Sequence, residues 1–438
     1  MANILFIFGD ALRSDHLHCY GYSKETSPNI DKLAGEGVLF KNTIAHSNHT
    51  VPGVISALTG LYPTTHGIDS PKNVANWKDL WRGWVTPFDV LNKNGYLTGG
   101  PDKWVYERLN YKIEFVDLSE AISKNRDKKF FLWEMITNTH LPYNPSPPYD
   151  KMFLPEGYKV SESTKKKLEI VKSKMIIHKP GLISQVESGV PNVLEIPSEG
   201  TPREGPRTVG IINFSFSEED KIPIAALYDG EVKTFDDLVG HYVEKLKKLN
   251  ILDETIIIIL SDHGEQLLER GYIGHSSCSL HGNLYEEGIK IPLIMRYPPA
   301  IPKGKVIETQ VSQIDIMPTI FEILGLKYNI KVDGKSLLPL INGEKIDFIE
   351  ETYAETLVCG WQVIKGDERR IWCIRIPKWK LIYYSNPMKS DENYYELFNL
   401  DNDPGEKINV INKYPDVFIK LRNKLNNWVS KAISLDVL

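Results

Sequence analysis

Two short apolar runs in this sequence each lead to an acidic residue. Residues 256–260 (IIIIL) pass through Ser261 to Asp262, His263 and Gly264, and residues 4–8 (ILFIF) pass through Gly9 to Asp10. A carboxylate next to an imidazole pairs a hard oxygen ligand with a borderline nitrogen ligand, which suits Zn²⁺ or Mn²⁺. A second carboxylate at the end of a neighbouring strand would offer another oxygen to the same cation. Between them in sequence stands Thr50, just ahead of Pro52, Gly53 and VISALTG, an apolar stretch of helical spacing. A hydroxyl at such a junction lies beside free backbone N–H groups that favour anions. Asp10, Thr50, Asp262 and His263 could therefore hold a divalent cation and attack an ester. Each also has a plainer reading: Asp262 as a helix cap beside a surface histidine, and Thr50 as an N-cap.

The elements that must position these residues can be read from the same pattern. Apolar, β-branched runs ending at glycine read as buried strands, and ligands of open α/β sheets bind beyond the carboxyl ends of such strands. Over residues 1–350, strand candidates alternate with helical stretches. In one of these, residues 236–249, apolar residues at 238, 239, 243, 246 and 249 fall close to one face. This predicts an α/β domain with a mixed or parallel-rich sheet. Within 351–438, short aromatic strands (RRIWCIRI, WKLIYY, NYYELFNL) precede an amphipathic helix, PDVFIKLRNKLNNWVSKAI. A small C-terminal α+β subdomain with antiparallel strands is expected there. Residues 155–225 are rich in Lys, Ser, Glu, Pro and Gly, and read as a flap over the site or as a solvated insertion.

With these segments in hand, the chain resembles the sulfatase branch of the alkaline phosphatase superfamily. DALRSDHLHCYGYSKETSPNIDKLAGEGVLF (10–40) is similar to that family's opening block, and TVPGVISALTGLYPTTHG (50–67) to its nucleophile block. GYLTGGPDKW (95–104), HLPYNPSPPYDKMF (140–153), SDHGEQLLERGYIG (261–274), HGNLYEEGIKIPLIMRYP (281–298), QIDIMPTIFEILGL (313–326) and WKLIYY…YELFNLDNDPGE (379–406) follow in the family's order. The resemblance spans nearly the whole chain, most weakly near 155–225. It implies an alkaline phosphatase-like sandwich, with a large central mixed sheet between helices. It also assigns residues. Asp10, Asp262 and His263 match metal ligands, Thr50 falls on the nucleophile, and His140 matches a substrate-side histidine. His281, ahead of GNLYEEG, falls where relatives carry a Lys or His at the ester, with His275 its rival; Lys103 matches a substrate lysine, although Asp102 replaces the usual Gly.

Two departures bear on the reaction. Family sulfatases oxidise a Cys or Ser to formylglycine, whereas the β-methyl of Thr50 would yield a ketone. The motif Cys/Ser-x-Pro-Ser-Arg is also broken, since Gly53 and Val54 occupy its last two places. None of Cys19, Cys278, Cys359 and Cys373 lies in the nucleophile block. Phosphodiesterase relatives use a threonine nucleophile instead, and a cation would lower the pKa of its hydroxyl. Without the arginine, only Lys103, His140 and His281 remain to supply positive charge, a modest complement best suited to a singly charged ester. The expected order is phosphodiester or phosphonate ester first, phosphate monoester second and sulfate ester third. Phosphoryl-group transfer to another acceptor and a catalytically silent binding protein are the alternatives.

The expected cofactor is one divalent cation, Mn²⁺ or Zn²⁺ before Ca²⁺ or Mg²⁺. Asn138 stands where an Asp might have helped to hold a second. Of the other histidines, His16, His18, His46, His49 and His66 crowd the N-terminal third, and only His49 adjoins the nucleophile. A formal charge of −5 implies no polyanion-binding surface, and the basic residues around 164–174 read as a solvated helix face. The expected partner is a small-molecule ester, with no nucleic acid and no membrane, and self-association is left open. No run approaches the roughly 18 apolar residues of a membrane helix, MANILFIFGD is too short for a signal peptide, and scattered cysteines suggest no disulfide framework. A cytoplasmic location is expected.

Overall fold

The computed structural model describes residues 2–68, 85–101, 112–115, 117–173, 176–178, 193–196, 207–212, 215–275, 282–344, 348, 351–358, 369–385 and 394–435. Its centre is an eight-stranded sheet. The strands are β1 (Asn3–Gly9), β2 (Val38–Phe40), β3 (Leu97–Gly100), β4 (Ile113–Glu114), β5 (Phe130–Ile136), β6 (Thr255–Ser261), β7 (Leu293–Arg296) and β8 (Lys305–Ile307). Their order across the sheet is β8-β2-β7-β6-β1-β5-β3-β4. β1 runs parallel to both β6 and β5, whereas β7 is antiparallel to β6 and β2, so the sheet is mixed. Every residue of β1 and β6 is buried. That explains their unbroken apolar sequence, because a strand covered on both faces has no solvent side to mark with polar residues.

Alternate residues of β1 feed two cores. Ile4, Phe6 and Phe8 pack with Val54, Ile55, Ala57 and Leu58 of helix α2 (Thr50–Thr59). Leu5 and Ile7 pack with Ile30 and Leu33 of α1 (Pro28–Glu36), and with Leu227, Val232, Phe235 and Val239 of a long helix. The sheet is thus sandwiched between helices, as expected.

That long helix departs from the sequence reading. The spacing predicts a helix only over 236–249, but α4 spans Glu218–Lys248, after α3 (Glu162–Ser173). Its first half carries Pro223 and a series of acidic residues, which obscure any apolar stripe. Asp220, Asp229 and Asp236 face inward, whereas Glu218 and Glu219 are exposed. Asp220 accepts from Thr164 (2.6 Å) and Lys167 (2.5 Å) of α3. Asp229 accepts from Tyr22 (2.9 Å) and Lys24 (2.7 Å) and lies 2.7 Å from His16 Nδ1. Asp236 accepts from the backbone N–H groups of Asn29 and Ile30, both at 2.9 Å, at the start of α1. Because α3 is tied to α4 at Asp220, residues 162–173 are fixed to the body of the molecule. Short strands at 176–178, 193–196 and 207–212 form a separate three-stranded sheet.

Glu231, also on α4, differs from these acids. It is 4% exposed and accepts only neutral donors among the described residues, the Asn144 N–H at 2.7 Å and Asn138 Nδ2 at 3.3 Å. Burial pushes its carboxyl up to about 7. Folding therefore favours the neutral acid. That contribution is full below the unfolded-state value of about 4.5 and is lost as pH rises to 7, a change of about 3 kcal/mol. Glu231→Gln has no proton to lose, so its stability relative to wild type should climb by that order between pH 5 and pH 8 in urea titrations. An identical difference at both pH values would refute the assignment.

The C-terminal part is a four-stranded antiparallel sheet, β9 (Thr352–Leu357), β10 (Arg370–Ile376), β11 (Trp379–Ser385) and β12 (Tyr394–Asn399). Leu421, Leu425 and Val429 of helix α5 (Pro415–Leu435) cover one face through Trp372, Ile374 and Leu381. The other face meets Leu284, Tyr285 and Ile289. A buried ion cluster joins the two parts: Lys380 lies 2.8 Å from both Glu286 and Glu406, and Arg375 lies 2.9 Å from Glu286. Burial works against charge on Glu286, yet Arg375 and Lys380 hold it well below the usual carboxylate range.

Candidate active site

The parallel register of β1 and β6 places Gly9 opposite Ser261, so Asp10 and Asp262 leave the sheet side by side. Several contacts fix this strand end. Ser261 Oγ donates to Gly9 O (2.7 Å) and accepts from the Leu12 N–H (2.9 Å). Ala11 sits at φ +60°, a left-handed conformation that costs a non-glycine residue energy and recurs at functional sites. That turn aims the Ala11 N–H at Asp262 Oδ1, 3.1 Å away, and the His263 N–H reaches the same oxygen at 2.9 Å. Asp262 Oδ2 is buried and, among the described residues, accepts no hydrogen bond; it lies 3.3 Å from His263 Nε2. From the far side, Gln313 Nε2 donates to Ser261 O (3.3 Å) and Asp262 O (3.2 Å). Nothing in the QIDIMP segment itself marks Gln313 as this support, because its contact with the strand end spans about fifty residues of sequence.

Thr50 is the first residue of α2, with His49 in the capping position and making no side-chain cap bond. Thr50 is therefore not the N-cap. Its Oγ1 lies 3.2 Å from His263 Nε2. His263 Nδ1 is 2.8 Å from Gly264 O; since a carbonyl only accepts, Nδ1 carries a proton, and in the neutral ring Nε2 presents a lone pair. Gly53 makes the approach of α2 to the strand end feasible, because a Cβ there would lie 2.6 Å from Asp262 O. Val54 is fully buried in the apolar core. The two departures from the family motif thus have a packing basis: position 53 has no room for serine, and position 54 belongs to the core.

A histidine cluster completes the centre. His140 Nδ1 is 2.5 Å from Leu141 O, and its Nε2 is 2.8 Å from His275 Nε2. The two Nε2 atoms face each other, so a proton on either one is shared between the rings. The His275 ring also lies 4.5 Å from that of His263 and 5.4 Å from that of His49. Burial, and then the neighbouring imidazoles, push both His49 and His275 well below the usual histidine range. The motif register favours His281 over His275; the structure brings His275 into the cluster, while His281 and Lys103 lie outside the described residues. His46, held by Tyr353 O and Ser312, and His66, held by Ser56 and the Ile68 N–H, are core histidines. Burial lowers them to about 4 and about 3.

Asp10, Asp262 and His263 each offer one ligand atom, all within 4.8 Å of one another and all buried. Burial pushes the carboxyl of nearby Glu265 well up, and the charges of Asp10 and Asp262 add to this. Negative charge is thus in excess at the strand end, and the donor set suits a divalent cation with Thr50 alongside. Asn138 points elsewhere, to Glu231.

Comparison with known proteins agrees with this architecture. The family model described as Sulfatase matches residues 2–115 and 110–326, and that described as N-sulphoglucosamine sulphohydrolase, C-terminal, matches 281–431. An N-acetylgalactosamine-6-O-sulfatase of Bacteroides thetaiotaomicron is 26% identical over 494 residues, covering 97% of this chain and 92% of its own. A solved structure in complex with its substrate D-glucosamine-2-N,6-O-disulfate superposes with a TM-score of 0.72 at 19% identity, over 99% of this chain and 98% of its own. The phosphonate monoester hydrolase of Agrobacterium radiobacter follows at 0.71 and 18%, over 99% and 96%. At these identities the two structures establish the fold alone. Among the described residues no helix is long and apolar enough to cross a membrane. The chain belongs to the sulfatase family of the alkaline phosphatase superfamily, hydrolases of ester bonds.

Proposed function

We propose that this protein cleaves a singly charged phosphorus ester, a phosphodiester or phosphonate monoester, through Thr50. The observation that carries this is the nucleophile position itself: Thr50 Oγ1 sits 3.2 Å from the lone pair of His263, on a residue that cannot become an aldehyde. Asp10, Asp262 and His263, with the Thr50 hydroxyl, would hold the divalent cation, Mn²⁺ or Zn²⁺ before Ca²⁺ or Mg²⁺. When bound, it would acidify that hydroxyl and draw charge from a phosphoryl oxygen.

Thr50 Oγ1 loses its proton to solvent and attacks phosphorus in line as the bond to the leaving oxygen breaks; that oxygen takes a proton from the histidine side of the site, where His140 and His275 are the candidates, and the histidine is reprotonated by the water of the next step. Water then attacks phosphorus to clear the adduct. A sulfate adduct on Thr50 lacks the elimination route that a formylglycine hydrate provides, so turnover would stall. With Val54 in the core, no arginine at that place supports a second negative charge. Lys103 is the remaining cationic candidate for the substrate. Cys19 and Cys373 are free thiols, which fits a reducing, cytoplasmic setting.

A sulfate ester is the second reading, favoured by the sulfatase name of the full-length relative. Chromogenic phosphodiester, phosphonate, phosphate monoester and aryl sulfate substrates, each with Mn²⁺, Zn²⁺, Ca²⁺ and Mg²⁺, separate the two. The phosphodiester or phosphonate should give the highest kcat/KM. Repeated turnover of aryl sulfate above every phosphorus ester would overturn this order.

A further inference from the structure

We propose that Glu231 is the positioning residue for His140, clamping both ends of the loop that carries it. The inference builds on the Thr50-centred site proposed above. Oε2 of Glu231 accepts from the side chain of Asn138, before His140, and Oε1 from the backbone N–H of Asn144, after it, at 3.3 and 2.7 Å. Inside that bracket, Thr139 Oγ1 donates to Asp10 O (2.5 Å), and His140 is left with Nε2 directed to His275 at 2.8 Å. The loop is pressed on α4 at the same turn, because a Cβ on Gly230 would meet Tyr149 O at 2.5 Å and Pro145 Cγ at 2.8 Å.

The choice of residue supports the same conclusion. The carboxyl group has two oxygens, one for each end of the loop. Asp220 and Asp229 are each offset by a lysine, but Glu231 faces neutral donors and carries the penalty of burial noted above. A buried ionisable group without a cation is poor design for stability alone. It is explained if the two-ended hold sets the position of His140, since a shift of about 1 Å in a reacting group can cost on the order of a hundredfold in rate.

The test is a double-mutant cycle on the full-length, metal-loaded protein, with a chromogenic phosphodiester and kcat and KM measured separately. Glu231→Ala should lower kcat about 10- to 100-fold with KM within about threefold. Glu231→Gln should recover most of the rate, because Asn138 can turn its amide to accept from the new NH₂, and this variant covers the case in which Glu231→Ala folds poorly. The double variant Glu231→Ala/His140→Ala should be no slower than His140→Ala. Losses that multiply, or wild-type kcat in Glu231→Ala, overturn the clamp. A substrate-independent readout keeps this apart from failure of the proposed reaction. The imidazole ¹⁵N resonances of His140 should move in Glu231→Ala even if no ester tested is cleaved, and unmoved resonances overturn the clamp on their own.

Discussion

Thr50→Ala should reduce turnover of every ester by a thousandfold or more, about 4 kcal/mol or greater in activation free energy, while the protein keeps its fold. The substitution removes one hydroxyl and one methyl from the first turn of α2, where His49 and not Thr50 is the N-cap, and leaves the buried side chains of Val54, Ile55 and Leu58 in place. Thr50→Ser should stay within about tenfold of wild type, because the hydroxyl remains and only the β-branch that restricts χ1 is lost. Thr50→Cys should not create a sulfatase of the usual kind, since Gly53 has no space for serine and Val54 is committed to the core. The check is kcat for the three variants on the best phosphorus ester, with circular dichroism to confirm folding. Near-native rates in Thr50→Ala would mean that water, not Thr50, attacks.

Asp262→Asn should release the cation and lose turnover together. Oδ1 of Asp262 is occupied by the Ala11 and His263 N–H groups, so the substituted oxygen or nitrogen must fall on one of two jobs. If the amide oxygen keeps the two N–H bonds, the NH₂ points into the site and repels a cation. If it turns over, the strand-end turn at Ala11 loses its acceptor. Either way affinity for a divalent ion should fall at least about a hundredfold. Elemental analysis after dialysis without chelator reads this directly; an unchanged metal content in the variant would remove Asp262 from the ligand set.

The polar group at the strand ends was legible because it follows strands buried on both faces. Such strands must be unbroken apolar runs, so the polar residues that stop them stand out. Asp10, Asp262 and His263 could be picked without knowing which strands pair, and the register then set them side by side. The features that escaped depend on contacts distant in sequence. Glu231 lies in a stretch whose acids and Pro223 look like a solvated segment, and only the packing of α4 against the 138–144 loop gives its carboxyl buried partners. Ala11 gives no local sign of its left-handed backbone, which occurs together with the hydrogen bond from its N–H to Asp262. His275, which motif register ranks behind His281, stands in the histidine cluster, and sequence spacing alone cannot say which histidines a loop folds inward.

Ala11 and Asp262, hydrogen-bonded in the finished protein, are 251 residues apart in the chain. On a ribosome adding about 5–20 residues per second, roughly 12–50 s separate the emergence of β1 from that of β6. During that interval β1 can pair with β5 on one side, but its other edge has no partner, and both faces are too apolar to be left wet. Nascent chains of this protein should therefore depend on chaperones that shield strand edges, and truncations anywhere before the second half should accumulate as aggregates rather than as inactive domains.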